Sequence, residues 1–267
     1  MIRRDLEEVP NHLTARLEAA RRVPVRPAGL RYAILLGELR ADDDLAAHDL
    51  DRVAAEAVQP AGTLAAVSTD SRSVPALISR LAGSGCRVVG RIDPMEMDGV
   101  RRARDRAAAM AADGVDEGSM EFPAALFRAG DHAQVTALIS AVAAGLGGRP
   151  LTVVMDPQGD RTAARLDEAT RLAAIEGAAF VQPFGGTRPW PGAFAAMAVA
   201  LEVLRGRLEL EIGTEVGVKL AGMDSVQEVI WALALADAML GRLRLRPGSV
   251  RVVMSSDLLG RVAAAMG

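Results

Sequence analysis

One charged residue type occurs once in this chain. Lys219, in the stretch EVGVKLAGMDS (residues 215–225), is the single lysine, and the other thirty of the thirty-one Lys+Arg residues are arginine. A GC-rich genome would itself favour arginine, so the position matters more than the count. Arginine holds its proton under all ordinary conditions, whereas a lysine amine taken out of water can lose one and become a nucleophile or a base. Lys219 lies in an apolar run of strand-like alternation, with Gly217, Lys219 and Ala221 on one face and Val216, Val218 and Leu220 on the other. The same parity groups Thr152, Val154 and Asp156 on one candidate strand, and Glu117, Ser119 and Glu121 on another. If the apolar faces meet helices, these polar groups converge around the amine. A purely structural lysine, paired in the interior with Asp156 or Glu121, is the alternative reading of the same pattern.

The elements that would position such groups are short Val/Ile/Leu runs alternating with Ala-rich helical stretches. Strand candidates are RYAILLGEL near Ile34, GTLAAVST near Ala66, CRVVGRID near Val89, GVDEGSME near Gly118, LTVVMD near Val154, AAFVQPF near Val181, EVGVKLAG near Val218 and RVVMSS near Val253. Helical candidates between them include SVPALISRLAGSG, DGVRRARDRAAAMAADG, GDHAQVTALISAVAAGLG, RTAARLDEATRLAAIEG and GAFAAMAVALEVLRGR, several ending in the glycine that stops a helix. Eight such units predict an α/β chain folded as a (β/α)₈ TIM barrel, with a doubly wound open sheet as the other arrangement. Residues 1–28 read as an extra N-terminal helical segment and residues 29–267 as one barrel domain. In a barrel, the site belongs at the C-terminal ends of the strands.

Composition removes several functions. A net charge of −3 and a sequence pI near 5.7, with arginines scattered among carboxylates, give no basic stripe for nucleic acid. Cys86 is alone, so no disulfide framework is expected. The N-terminal stretch lacks a signal peptide's apolar core, and VQEVIWALALADAMLG carries Glu228 and Asp237 and is too short to span a bilayer. No membrane is expected as partner, and a cytoplasmic location is the default. His12, His48 and His132 are far apart, which predicts no metal site, and no Walker loop or nucleophile elbow is present.

Five stretches taken in order resemble the deoxyribose-phosphate aldolase family. GVDEGSMEFPAALFRAGD (114–131) is similar to its fourth strand and following loop, LTVVMDP to its fifth strand and GAAFVQPFGG (177–186) to its sixth. EVGVKLAGMDS is similar to its seventh and RVVMSS (251–256) to its eighth. The resemblance covers roughly residues 63–260 and implies a (β/α)₈ barrel, often paired as a homo-oligomer. It also implies a departure in chemistry. Gln182 stands where the family's Schiff-base lysine falls, and Ser119 where its proton-transferring acid falls, while Lys219 matches the family's second lysine. At the phosphate end, Gly222, Met223, Asp224 and Ser225 replace Gly-Gly-Ile-Arg, and Val253 replaces a glycine. Gly185, Gly186, Gly222, Ser255 and Ser256 leave a weakened anion site. Met95, Met223 and Met254, with Phe184 and Trp190, either line an entrance for an apolar ligand or fill gaps in an aromatic-poor core.

The expectation is therefore an aldolase-like enzyme of altered chemistry acting on a small carbonyl substrate, with no cofactor. Lys219 would be imine-forming amine or general base, Asp156 would orient or protonate, and Ser119, Glu121 and Gln182 would hold substrate oxygens, with Gly185, Gly186, Gly222, Met223, Ser255 and Ser256 completing the binding site. Carbon–carbon bond formation or cleavage, cyclisation or dehydration would fit, in specialised biosynthesis. Two other readings stay open. One is a non-catalytic barrel that binds a metabolite or partner protein. In the other the family's reaction survives, with Lys219 taking the lost imine role.

Overall fold

The structure, a computed structural model, describes residues 9–41, 47–59, 62–92, 99–155, 162–185, 192–210 and 215–266, without the side chains of residues 47 and 48. Eight parallel strands close into a barrel: β1 (Gly37–Arg40), β2 (Ala66–Asp70), β3 (Arg87–Arg91), β4 (Glu117–Glu121), β5 (Leu151–Val154), β6 (Phe180–Gln182), β7 (Gly217–Leu220) and β8 (Val250–Met254). Around them lie α1 (Asn11–Ala20), α2 (Pro27–Leu35), α3 (Ala47–Ala57), α4 (Val74–Leu81), α5 (Val100–Ala112), α6 (Ala124–Arg128), α7 (His132–Gly145), α8 (Ala163–Ile175), α9 (Ala193–Glu209), α10 (Val226–Leu240) and α11 (Ser256–Ala264). A two-stranded antiparallel hairpin, Val58–Gln59 with Gly62–Thr63, interrupts the path from α3 to β2. No described helix is long and apolar enough to cross a membrane.

The first strand candidate needs correction. RYAILLGEL is helical through Leu35, and only its end joins β1. Leu30, Ala33 and Ile34 recur at helical spacing and are buried on one face, and Pro27 supplies the fixed φ of a first helical turn. Gly37 makes the abrupt change to strand possible, because a Cβ there would meet Leu64 at 2.7 Å, Met254 at 2.9 Å and the Ala33 carbonyl at 3.0 Å. Helix α2 also runs across the boundary expected between residues 28 and 29. α1 packs against α9 and α10.

The strand registers decide what stands above what. Extending the pairings around the ring from Glu38 returns to the first strand at residue 30, eight residues lower, which is the stagger of a (β/α)₈ barrel. Inward side chains therefore stack in layers of four drawn from alternate strands. From the N-terminal end upward, the first holds Ala66, Glu117, Phe180 and Arg251, and the second Glu38, Val89, Thr152 and Lys219. The third holds Ser68, Ser119, Gln182 and Val253, and the fourth Arg40, Arg91, Val154 and Ala221. Outward residues of the same strands, such as Val67, Val88, Val153, Val181, Val218 and Val252, form the apolar layer under the helices.

A buried amine on the floor of a polar well

Lys219 points inward, as its parity requires, and is 0% exposed. Its Nζ lies 2.6 Å from Glu38 Oε2 in the same layer and 3.9 Å from Glu117 Oε2 in the layer below. Arg251 binds Glu117 with both terminal nitrogens, one at 2.7 Å, and its Nη1 also donates to Glu38 at 3.1 Å. Arg87 reaches Glu117 at 2.9 Å from the N-terminal face. Lys219, Arg251, Glu38 and Glu117 thus form a quartet of two cations and two carboxylates. The partners of Lys219 are Glu38 and Glu117 rather than Glu121, which is exposed at the end of β4. Asp156 lies outside the described residues.

The quartet divides unevenly. Burial alone would raise the Glu117 carboxyl, but Lys219, then Arg251 and Arg87, overcome it and hold Glu117 down at about 2, so it stays ionised. For Lys219 the largest influence is burial, which pushes the amine below its ordinary value. Glu38 and Glu117 pull it back, and Arg251 pushes it further down. The 2.6 Å contact to Glu38 is not aligned as a directed hydrogen bond, and Nζ has no other hydrogen-bond acceptor. Glu117 and Arg251 are thus joined by directed hydrogen bonds, while Lys219 faces Glu38 across an ion-pair contact. The buried Thr152 hydroxyl in the same layer has no hydrogen-bond partner either.

The barrel is plugged from below. The Phe180 ring lies 4.7 Å from the Arg251 guanidinium and 5.4 Å from Lys219 Nζ, within cation–π range. Gly217 is small because a Cβ there would fall 2.5 Å from that ring and 2.7 Å from the Ser249 carbonyl. Above the amine the filling changes from bulky to small and polar. Ser68 and Gln182 keep 4% exposure and Ser119 keeps 6%. The layer directly over Lys219 is thus polar but, like the amine, buried. Gln182 turns its amide to donate to the Phe184 carbonyl at 2.7 Å.

The remaining expected residues are spread around the barrel. Gly185 follows β6 and its carbonyl accepts from Arg40, whereas Gly186 lies outside the described residues, as do Met95 and Trp190. Gly222 has φ +87°, and a Cβ there would meet the Phe184 ring at 2.7 Å and Ala193 at 2.8 Å, so the space beside this glycine is filled by the protein itself. Met223, Met254 and Phe184 belong to the buried core. Ser255 caps α11 by accepting from Leu258 N–H, and Ser256 opens that helix and accepts from Arg52 at 3.4 Å. Among the described residues no group of three His, Cys, Asp or Glu is placed to hold a metal ion.

Glu38, Arg251, Phe180, Arg40 and Arg91 were not singled out by the sequence reading. Glu38 was hidden because the first strand was placed too early. Arg251 shares the parity of Val253 in RVVMSS, and a charged residue at an inward position was the signal available.

The fold and the floor define a (β/α)₈ barrel of the kind that places a lysine inside the strands. Its similarity is to deoxyribose-phosphate aldolases. A protein assigned as one from Toxoplasma gondii ME49 superposes with a TM-score of 0.79 at 19% identity, over 90% of this chain and 94% of that one. Another so assigned, from Coccidioides immitis, gives 0.71 at 16% identity over 99% of both chains. The tetrameric deoxyribose phosphate aldolase of Aeropyrum pernix gives 0.65 at 14% identity over 94% of this chain and 96% of that one. These likenesses are of fold. No family model matches this chain, and no curated protein sequence matches it.

Proposed function

We propose that the chain is a divergent aldolase-like enzyme in which Lys219 forms an imine with a small carbonyl compound and Glu38 moves the protons. The observation that carries this reading is a buried amine with a carboxylate at 2.6 Å, placed under a layer of small and polar side chains, Ser68, Ser119 and Gln182. Glu38 takes a proton from the ammonium, which frees the nitrogen lone pair to attack the carbonyl carbon. The attacking nitrogen passes one proton to the carbonyl oxygen, and the resulting hydroxyl takes the proton held by Glu38 and leaves as water. The product is a cationic imine beside an ionised Glu38, so the quartet has the same net charge as at the start. That cation withdraws electrons from the neighbouring carbon, which is the basis for making or breaking a carbon–carbon bond or for dehydration. Gln182 cannot form an imine, so the chemistry passes to the amine one strand on.

Borohydride trapping with a panel of aldehydes and ketones, read by intact mass and peptide mapping, tests this. A reduced adduct on Lys219, absent in Lys219→Arg, is expected. A second reading, a binding barrel without turnover, is favoured by the mutual neutralisation of the quartet and the complete burial of Nζ. It predicts adducts on the N-terminal amine alone.

A further inference from the structure

The imine chemistry carries a proton from nitrogen to oxygen, and the groups around Lys219 point to the one that carries it, an inference that rests on the reading just given. By the time the nitrogen has attacked, Glu38 already holds the proton it took from the ammonium, so it cannot take a second. Glu117 faces Nζ at 3.9 Å, but its oxygens accept from Arg251 and Arg87, and Lys219 and these cations hold it down at about 2, which makes it a poor proton acceptor. Direct transfer within the adduct passes through a strained ring of nitrogen, carbon, oxygen and the migrating hydrogen. A hydroxyl placed between the two atoms widens that ring, because it accepts one proton while donating another.

Thr152 supplies such a hydroxyl. It stands in the same inward layer as Lys219, two strands back on β5, is 0% exposed, and its Oγ1 has no hydrogen-bond partner. Burying a hydroxyl without a partner costs its hydration and returns nothing, so such a group calls for a role in binding or chemistry. Thr69 and Thr170 also bury unpartnered hydroxyls, but Thr69 alternates with inward Ser68 and so faces the helices, and Thr170 lies on α8. Among the described residues, Lys219 and Thr152 are the unpartnered polar groups inside the barrel. Between them, β6 turns Phe180 inward one layer below, Gln182 one layer above and Val181 outward, so at this level it sets no side chain between the two. The Gln182 amide is already committed to the Phe184 carbonyl. Nζ reaches carboxylates on β1 and β4, which lie on either side of β7 around the ring, and therefore sits near the barrel axis that Thr152 faces. Ser68 and Ser119 carry hydroxyls one layer higher.

We propose that Thr152 is a catalytic residue of this site, its hydroxyl relaying the proton from the attacking nitrogen to the carbonyl oxygen. In the first adduct the nitrogen is positive and the oxygen negative. Thr152 Oγ1 accepts the N–H proton while its own proton passes to the substrate oxygen. One N–H and one O–H bond break, two O–H bonds form, and the threonine leaves the step neutral. The carbinolamine then loses water with the proton held by Glu38. Glu38 and Thr152 thus serve the amine from the strands on its two sides.

Acetaldehyde with cyanoborohydride, the reductant raised until the rate no longer depends on it, reports imine formation on Lys219 by intact mass and peptide mapping. Thr152→Val keeps the shape of the side chain without its hydroxyl, and Thr152→Ser keeps the hydroxyl without the methyl. Thr152→Val is expected to form the adduct about tenfold more slowly or worse, and Thr152→Ser to stay within about threefold of the wild type. Thr152→Val is also expected to unfold in urea at the wild-type midpoint or above it, since no hydrogen bond within the fold is lost. An adduct that forms as fast in Thr152→Val as in the wild type would overturn the relay and leave the imine reading standing. Equal slowing in both variants would do the same by assigning the effect to packing, and a lowered urea midpoint in Thr152→Val by giving the hydroxyl a structural partner. No Lys219 adduct in the wild type would overturn both readings together.

Discussion

Replacing Glu117 by Gln changes one atom's chemistry in the most buried carboxylate of the barrel, and its cost can be worked from the structure. The side chain is 0% exposed and bonds Arg251 and Arg87 while facing Lys219 at 3.9 Å. The amide keeps the shape but leaves two buried cations facing one carboxylate. Removing one partner of a buried pair typically costs about 3–5 kcal/mol, a large share of the roughly 5–15 kcal/mol that holds a domain together. The pH dependence gives a second estimate. The carboxyl is depressed from 4.5 to about 2, and at ~1.36 kcal/mol per unit this corresponds to about 3 kcal/mol. For a depressed carboxyl, this stabilisation is present above pH 4.5 and is lost as pH falls toward 2. Urea unfolding between pH 7 and pH 2.5 therefore has two expected results: Glu117→Gln is less stable by about 3 kcal/mol at pH 7, and its stability falls less steeply below pH 4.5 than the wild type's. A difference under 1 kcal/mol at pH 7, together with parallel acid profiles, would refute the claim that Glu117 is held ionised by the quartet.

Three further outcomes are expected. Glu38→Gln, which leaves Lys219 without its nearest carboxylate, lowers the rate of imine trapping by about 10²-fold, at the low end of what a positioned proton-transfer group supplies, and an unchanged rate would remove Glu38 from the chemistry. Gly217→Ala forces a methyl against Phe180 and the Ser249 carbonyl and costs about 1–3 kcal/mol in chemical denaturation, so a neutral result would mean that Phe180 does not plug the barrel. Gln182→Lys puts a second amine in the layer above Lys219, and peptide mapping after borohydride treatment is expected to find adducts at residue 182. Their absence would show that the third layer is closed to carbonyl compounds.

Much of the barrel could be read from the chain, because its evidence is periodic. The helices after β3, β4, β5 and β6 begin and end within a few residues of their sequence cues, with Gly114, Gly147 and Gly177 taking the positive φ that their stop signals implied. β1 was misplaced because an apolar helical face and an apolar strand are continuous in RYAILLGEL, and only the tight packing at Gly37 separates them. The inward aim of Lys219 followed from parity alone. Its partners did not, because the layer in which a side chain stands depends on the stagger of all eight strands, which no single strand encodes. Glu38 and Lys219 are 181 positions apart in number and meet only when the ring closes. Gly222 is a different case: at φ +87° and with the Phe184 ring where a Cβ would stand, local packing alone accounts for a glycine there.

The proposed function requires Lys219, an amine that burial pushes below the ordinary lysine range, to react with small electrophiles in the folded protein. Because the chain has one lysine, reductive methylation with ¹³C-formaldehyde labels the side chain at a single position, and the labelling rate against pH reports its proton affinity directly. The proposed function predicts that Lys219 is labelled in the folded protein with a midpoint below 10.5, the value of a free lysine. Labelling that requires denaturation, or that rises only at 10.5 or above, would contradict it and leave the quartet as a structural plug.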